Sequence, residues 1–168
     1  IVTGAHMSGD LPFRLKVSGT DAVQGVRAIS TSFRFGGWLR LEGDSLRIEW
    51  SGYARSQDVG AAGIRDEQLR LPAETLVVPL ARLRRVEVLG GWWRPRLALS
   101  ARDARALALV PSEEHGTVHC WYARGDRSLA VALAADLSRG IAAAAAAGRS
   151  AEEIVHLSDS TPVTPPTP

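Results

Sequence analysis

Residues 32–50 read SFRFGGWLRLEGDSLRIEW, and their alternation decides the fold. Phe33, Phe35, Leu39 and Leu41 share one parity, while Arg34, Trp38, Arg40 and Glu42 share the other. After Gly43-Asp44 the pattern resumes, with Leu46, Ile48 and Trp50 set against Arg47 and Glu49. Successive side chains of a strand point to opposite faces of a sheet. The stretch therefore spells two antiparallel strands joined by a short turn, one face buried and the other wet.

Moving outward, the signal weakens upstream at PFRLKV, where Phe13, Leu15 and Val17 alternate with Arg14 and Lys16. Downstream, residues 52–73 mix glycine, charge and small side chains and lose the alternation altogether. They are expected to form an excursion loop with at most a short helix, and a loop of that length is usually mobile or functional. TLVVPL restores strand character, and Pro79 favours an edge or a bend because proline cannot donate to a ladder. Leu83, Val86 and Val88 follow with a spacing that implies a kink or bulge before Val86. Leu97 and Leu99 come next, then a polar turn around Arg102-Asp103, then Leu107 and Leu109. In TVHCWYARGD, Val118, Cys120 and Tyr122 lie opposite His119 and Trp121.

Residues 126–147 change period. Leu129, Leu133, Leu137 and Ile141, widened by Ala130 and Ala134, form the apolar stripe of an amphipathic helix. Asp126 suits an N-cap, the run Ala142–Ala147 extends the helix by propensity, and Gly148 suits a stop. Some 20 helical residues would span about 30 Å, enough to lie across a small sheet. Ser150 and Glu153 have capping-box spacing for a short second helix over 150–157. The proline-rich residues 158–168 read as a flexible or extended tail.

A chain of 168 residues fits one domain, and its 45% hydrophobic and 23% charged composition is that of a folded soluble protein. The net charge of +2 gives no strong field. Lys16 is the sole lysine; with the abundant alanine, this suggests a GC-rich bacterial coding sequence. Cys120 is the only cysteine, so no internal disulfide forms, and a cytoplasmic location is expected. No apolar run reads as long enough to cross a bilayer. Residues 1–7, IVTGAHM, carry the His6-Met7 pair of a common cloning junction and are expected to be a cloning remnant.

The pieces GGWLRLEGDSLRIEW, TLVVPLARLRRVEV, WWRPRLALSARD and TVHCWYARGDRSLAVALAADL follow the order of an antiparallel meander closed by one helix. In that order the chain resembles the pleckstrin-homology-like (PH-like) superfold, and more narrowly the bacterial PH-like domains. The resemblance implies a mainly β domain over residues 11–147, a curved antiparallel sheet or partly open barrel capped by one C-terminal amphipathic helix. It also implies a scaffold for protein, peptide or lipid contacts without a shared active site. Phosphoinositide-binding members carry a basic loop between their first two strands. The equivalent here is expected at Glu42-Gly43-Asp44-Ser45, short and acidic, so inositol-phosphate recognition is not carried over.

Three segments invite a chemical reading. In GGWWRPR, Trp92 and Trp93 stand among Arg84, Arg94 and Arg96, a composition suited to stacking, partner anchoring or membrane insertion. The favoured expectation is plainer: Gly90-Gly91 turn the chain, one tryptophan packs beneath the helix, and the arginines are solvated. In EEHGTVHCW, His115 and His119 have the i, i+4 spacing of helical metal ligands, with Glu113, Glu114 and Cys120 nearby. On the strand that Gly116-Thr117-Val118 implies, they stand about 13 Å apart, too far for one ion. Cys120 shares parity with Val118, which makes it a buried thiol rather than a nucleophile. Asp66-Glu67 reads as a solvated acidic pair. Arginines interspersed with acids and no nucleic-acid motif disfavour DNA or RNA.

The expectation is a noncatalytic interaction or regulatory module without cofactor or metal. Its partner is expected to be a protein or peptide, met at Arg84, Trp92, Trp93, Arg94 and Arg96, at an uncovered strand edge, or at the 52–73 loop. Peripheral attachment to an anionic membrane through the same residues is the alternative. An enzyme ranks below both.

Overall fold

The computed structural model describes residues 9–25 and 27–158. The expectations for residues 1–7 and for the tail after Ser158 concern residues outside these. Strands β1 (Leu11–Gln24), β2 (Arg27–Glu42), β3 (Ser45–Gly60) and β4 (Gly63–Pro79) form a meander. Strands β5 (Leu83–Leu89), β6 (Arg96–Ala101) and β7 (Thr117–Trp121) follow, and helix α1 (Arg127–Ser158) completes the order. All seven strands belong to one antiparallel sheet of order β4-β3-β2-β1-β7-β6-β5. The sheet is not closed: β4 and β5 are its edges, and one C-terminal helix packs on it.

The hairpin at Glu42–Ser45 has the register that alternation demands, with Leu39 opposite Ile48 and Leu41 opposite Leu46. Gly43 turns it at a φ of 59°. One face of the sheet carries Leu11, Phe13, Leu15, Leu39, Ile48, Leu97, Leu99, Val118 and Cys120 into the core. Helix α1 covers that core with Ala130, Leu133, Ala134, Leu137 and Ile141. Its closest neighbours are β5 and the 3-10 turn Leu80–Arg82, where Leu80 Cδ1 would lie 2.3 Å from a Cβ placed on Gly140. The bulge foreseen before Val86 is present, with a register shift between Leu83 and Arg85. Pro79 ends the edge strand β4.

Several expectations are corrected. Residues 52–73 are not a loop: they form the outer half of β3, a tight turn and the outer half of β4. Their alternation is hidden because neither face is buried there. Small and polar side chains (Ala54, Ser56, Asp58) occupy the face that holds leucine nearer the helix. Strands β1 and β2 extend in the same way, so the first hairpin turns at Gly25. The acidic turn Glu42–Ser45 therefore joins β2 to β3, not the first two strands, and it no longer bears on inositol-phosphate binding.

Helix α1 is entered through the 3-10 turn Arg124–Asp126, so Asp126 lies inside that turn rather than standing as the cap. The helix runs on past Gly148 to Ser158, absorbing the short helix expected over 150–157. Residues 124–148 reach the length and apolar composition of a membrane span, because alanines fill both faces around the leucine stripe. Leu107 is buried in the 3-10 turn Ala104–Leu107, whereas Leu109 is 72% exposed.

Among the described residues, the outer half of the sheet has no second layer. Phe33 and Phe35 stack at 6.3 Å on the core-side face, and Gly52 leaves room for the Phe35 ring, which would lie 2.6 Å from a Cβ there. Beyond them Leu69 is 66% exposed. Cross-strand ion pairs, Arg27 with Asp58 and Arg55 with Asp66, line this outer half.

Candidate interaction site

The β5–β6 connection builds the site. Leu89 pairs with Arg96, and the chain between them turns at Gly90, whose φ of 77° favours glycine. A Cβ at that position would lie 1.9 Å from the Arg94 carbonyl oxygen, so a second reason reserves it for glycine. Pro95 is buried, and its carbonyl accepts the Tyr122 N–H at 3.4 Å, tying the connection to the end of β7.

At the tip, Trp92 is 66% and Trp93 79% exposed. Neither packs beneath the helix, which corrects the expectation that one would turn inward. Strand alternation fails as a guide because both residues sit in a turn, outside the β5–β6 ladder. Arg124, from the 3-10 turn after β7, stands 5.1 Å from the Trp92 ring centre and 5.0 Å from that of Trp93. A guanidinium over an indole face is attracted by the ring quadrupole, by about 0.5–1 kcal/mol at exposed sites. Both indoles are thus held beside one cation while remaining open to solvent.

The five residues singled out in the sequence do not form one cluster. Trp92, Trp93 and the exposed Arg94 share the tip. Arg84 is exposed at the bulge of the edge strand β5, apart from them. Arg96 belongs to the outer face of the sheet, where its guanidinium lies 5.1 Å from the ring of Trp121. Lys16 Nζ meets the same ring at 3.8 Å. Arg124, Lys16 and Trp121 are not singled out in the sequence, and His119 is weighed there only as a metal ligand. The period-two parity of TVHCW was a usable signal, since pairing it with RPRLALS places Trp121 opposite Arg96 and His119 opposite Ala98.

Those outer-face residues line a groove of about 240 Å³ with Pro111, Ser112, Glu113 and Glu114. Ser112 shapes its rim: its hydroxyl donates to the Thr117 carbonyl at 2.7 Å and accepts the Glu114 N–H at 3.3 Å. The Ser18 hydroxyl donates to the Glu113 carboxylate. His119 Nε2 faces a Glu114 carboxylate oxygen at 3.3 Å. Two buried nitrogens, Arg96 Nε and His119 Nδ1, lack a hydrogen-bond partner among the described residues. A buried polar group left unpaired costs about 1–3 kcal/mol.

Cys120 is fully buried, and desolvation pushes its thiol above the ordinary range, so it is a core side chain rather than a thiolate. Burial likewise raises the Tyr122 phenol. Among the described residues, no three His, Cys, Asp or Glu side chains converge as metal ligands do. No family model, curated protein or solved structure matches this chain.

Proposed function

We propose that the domain is a noncatalytic, PH-like interaction module that takes a protein or peptide partner at the Trp92–Trp93 tip. The observation that carries this reading is the exposure of two adjacent indoles braced by a single arginine, Arg124. Tryptophan and arginine dominate interface hot spots because a large, stiff ring buries much area for little lost freedom. The turn holding them is anchored at both ends, by the Leu89–Arg96 pair and by the Pro95–Tyr122 hydrogen bond. A partner would therefore meet a surface already arranged for it. The strand order, with β1 joining the four-stranded meander to the three-stranded one under a C-terminal helix, supports the PH-like likeness.

A photo-crosslinking side chain at Gly91 tests this, since a Cβ there meets nothing within 4 Å. Discrete protein adducts from position 91 are expected. They should be absent from a probe at Leu109, which is equally exposed but remote in sequence, and should vanish when Trp93→Ala is added. Adducts that survive Trp93→Ala, or match those from position 109, would sink the reading.

The same tip suits a second reading, because two exposed indoles beside Arg94 and Arg124 have the composition of an interfacial membrane anchor. Sedimentation with anionic liposomes at two salt concentrations separates the readings. Membrane attachment predicts binding that weakens with salt and is lost in Trp92→Ala/Trp93→Ala.

A further inference from the structure

We infer that the groove on the outer face of β1, β6 and β7 is an oxyanion-binding site, separate from the tryptophan tip and independent of its role. Its floor is Trp121, flanked by Lys16 Nζ at 3.8 Å and the Arg96 guanidinium at 5.1 Å from the ring centre. Neither cation forms an ion pair among the described residues, whereas Arg27, Arg40, Arg47 and Arg55 each pair with a carboxylate. Two cations are therefore gathered on one ring with no carboxylate in ion-pair contact among the described residues.

The second observation is the state of the polar atoms. Among the described residues Arg96 Nε is a buried donor without an acceptor, and Arg96 lines the same groove as His119, whose Nδ1 is also unpartnered. Buried donors are almost always satisfied, so an orphan N–H in a lined groove points to an acceptor that arrives from outside. The acids at the rim do not fill that role: Glu113 receives the Ser18 hydroxyl and Glu114 faces His119 Nε2. Glu114 stands beside His119 Nε2, so that carboxylate is turned to the imidazole rather than to the two cations.

The shared chemistry is that of a small oxyanion. Arg96 supplies Nε–H and the terminal N–H groups of a fork that suits two oxygens on one centre. Lys16 supplies a point charge, and the volume of about 240 Å³ admits a phosphoryl or carboxylate group. A phosphomonoester and an acidic side chain both offer that chemistry. The acids Glu113 and Glu114 at the rim offset part of the positive charge, which disfavours extended polyanions such as nucleic acid.

The test is a titration of the whole chain with inorganic phosphate and, separately, acetate. It is followed by NMR at the Arg96 Nε–H and the Trp121 indole N–H. Saturable shifts of both signals with phosphate alone support a phosphoryl ligand, and saturation with acetate as well extends the site to carboxylates. Lys16→Gln and Arg96→Gln should each weaken binding roughly tenfold, whereas Arg84→Gln, on the exposed edge, should leave it unchanged. Should Arg96→Gln disturb the fold, Lys16→Gln carries the test alone, since Lys16 is exposed. Absence of saturable shifts with either anion overturns the inference. So does a weak, linear drift shared by Arg84, which marks nonspecific charge screening.

Discussion

The inner and outer halves of β1–β4 have the same backbone geometry but different surroundings. In the inner half, Leu11, Phe13, Leu39, Leu46 and Ile48 are buried with Leu133 and Leu137 of α1 in one core. In the outer half the strands continue through Thr20, Thr31, Ser56 and Glu67 with no layer upon them among the described residues. The contrast separates two sources of strand structure. Packing drives the first, while ladder hydrogen bonds, tight turns and surface ion pairs sustain the second.

The sharpest way to break the comparison is to remove packing. Leu133→Ala empties a fully buried site and should lower stability by about 2–5 kcal/mol in urea unfolding. Leu69→Ala, on the same sheet face but 66% exposed, should change it by less than about 0.5 kcal/mol. Equal losses from the two would mean that the outer half has a cover.

Phe35→Ala probes the border between the halves. The ring is partly buried, stacks on Phe33 and fills the space left by Gly52. About half of the roughly 3–5 kcal/mol lost from a fully buried phenylalanine is expected. A loss at the full value would place the core boundary one pair further out.

These halves also explain what the sequence disclosed. Residues 33–50 were legible because one face is buried, which forces apolar side chains to every second position. Residues 52–73 were not, since Tyr53, Arg55, Gln57 and Val59 alternate with Ala54, Ser56 and Asp58 without any difference in hydrophobicity to mark the faces. The leucine stripe of α1 was legible for the same reason as the inner strands. The helix end was not, because alanine propensity carries the helix through Gly148. At the candidate site, composition pointed to Trp92 and Trp93 but strand parity misplaced them, as they lie in a turn. Arg124, some thirty residues later, becomes their neighbour only through the pairing of β6 with β7.

Acid offers a gentler probe of the outer half. Arg27 and Arg55, hydrogen-bonded to Asp58 and Asp66, hold those carboxyls below their ordinary value of 3.8. A carboxyl lowered in the folded state adds stability above its unfolded value and loses it as pH falls through the folded one. Backbone amides around Ser56 and Glu67 should therefore lose hydrogen-exchange protection as pH drops from about 5 to about 2. Amides of Leu97 and Leu99 should keep theirs. Asp10, lowered by Arg40, titrates in the same direction, but the buried Leu39 and Leu11 keep those strands paired. Simultaneous loss in both halves would show that the ion pairs do not govern the outer one.

The smallest effect is expected at the tip. Trp93 is 79% exposed and touches Arg124, so Trp93→Ala removes one surface cation–π contact and no core area. The urea midpoint should move by no more than about 0.5 kcal/mol in stability. Large aromatic side chains are rarely left outside a core without use, so a stable variant that loses its adducts at position 91 would assign Trp93 to recognition. A loss above about 1 kcal/mol would instead return the residue to packing, as the sequence first suggested, and would remove the basis for an interaction surface there.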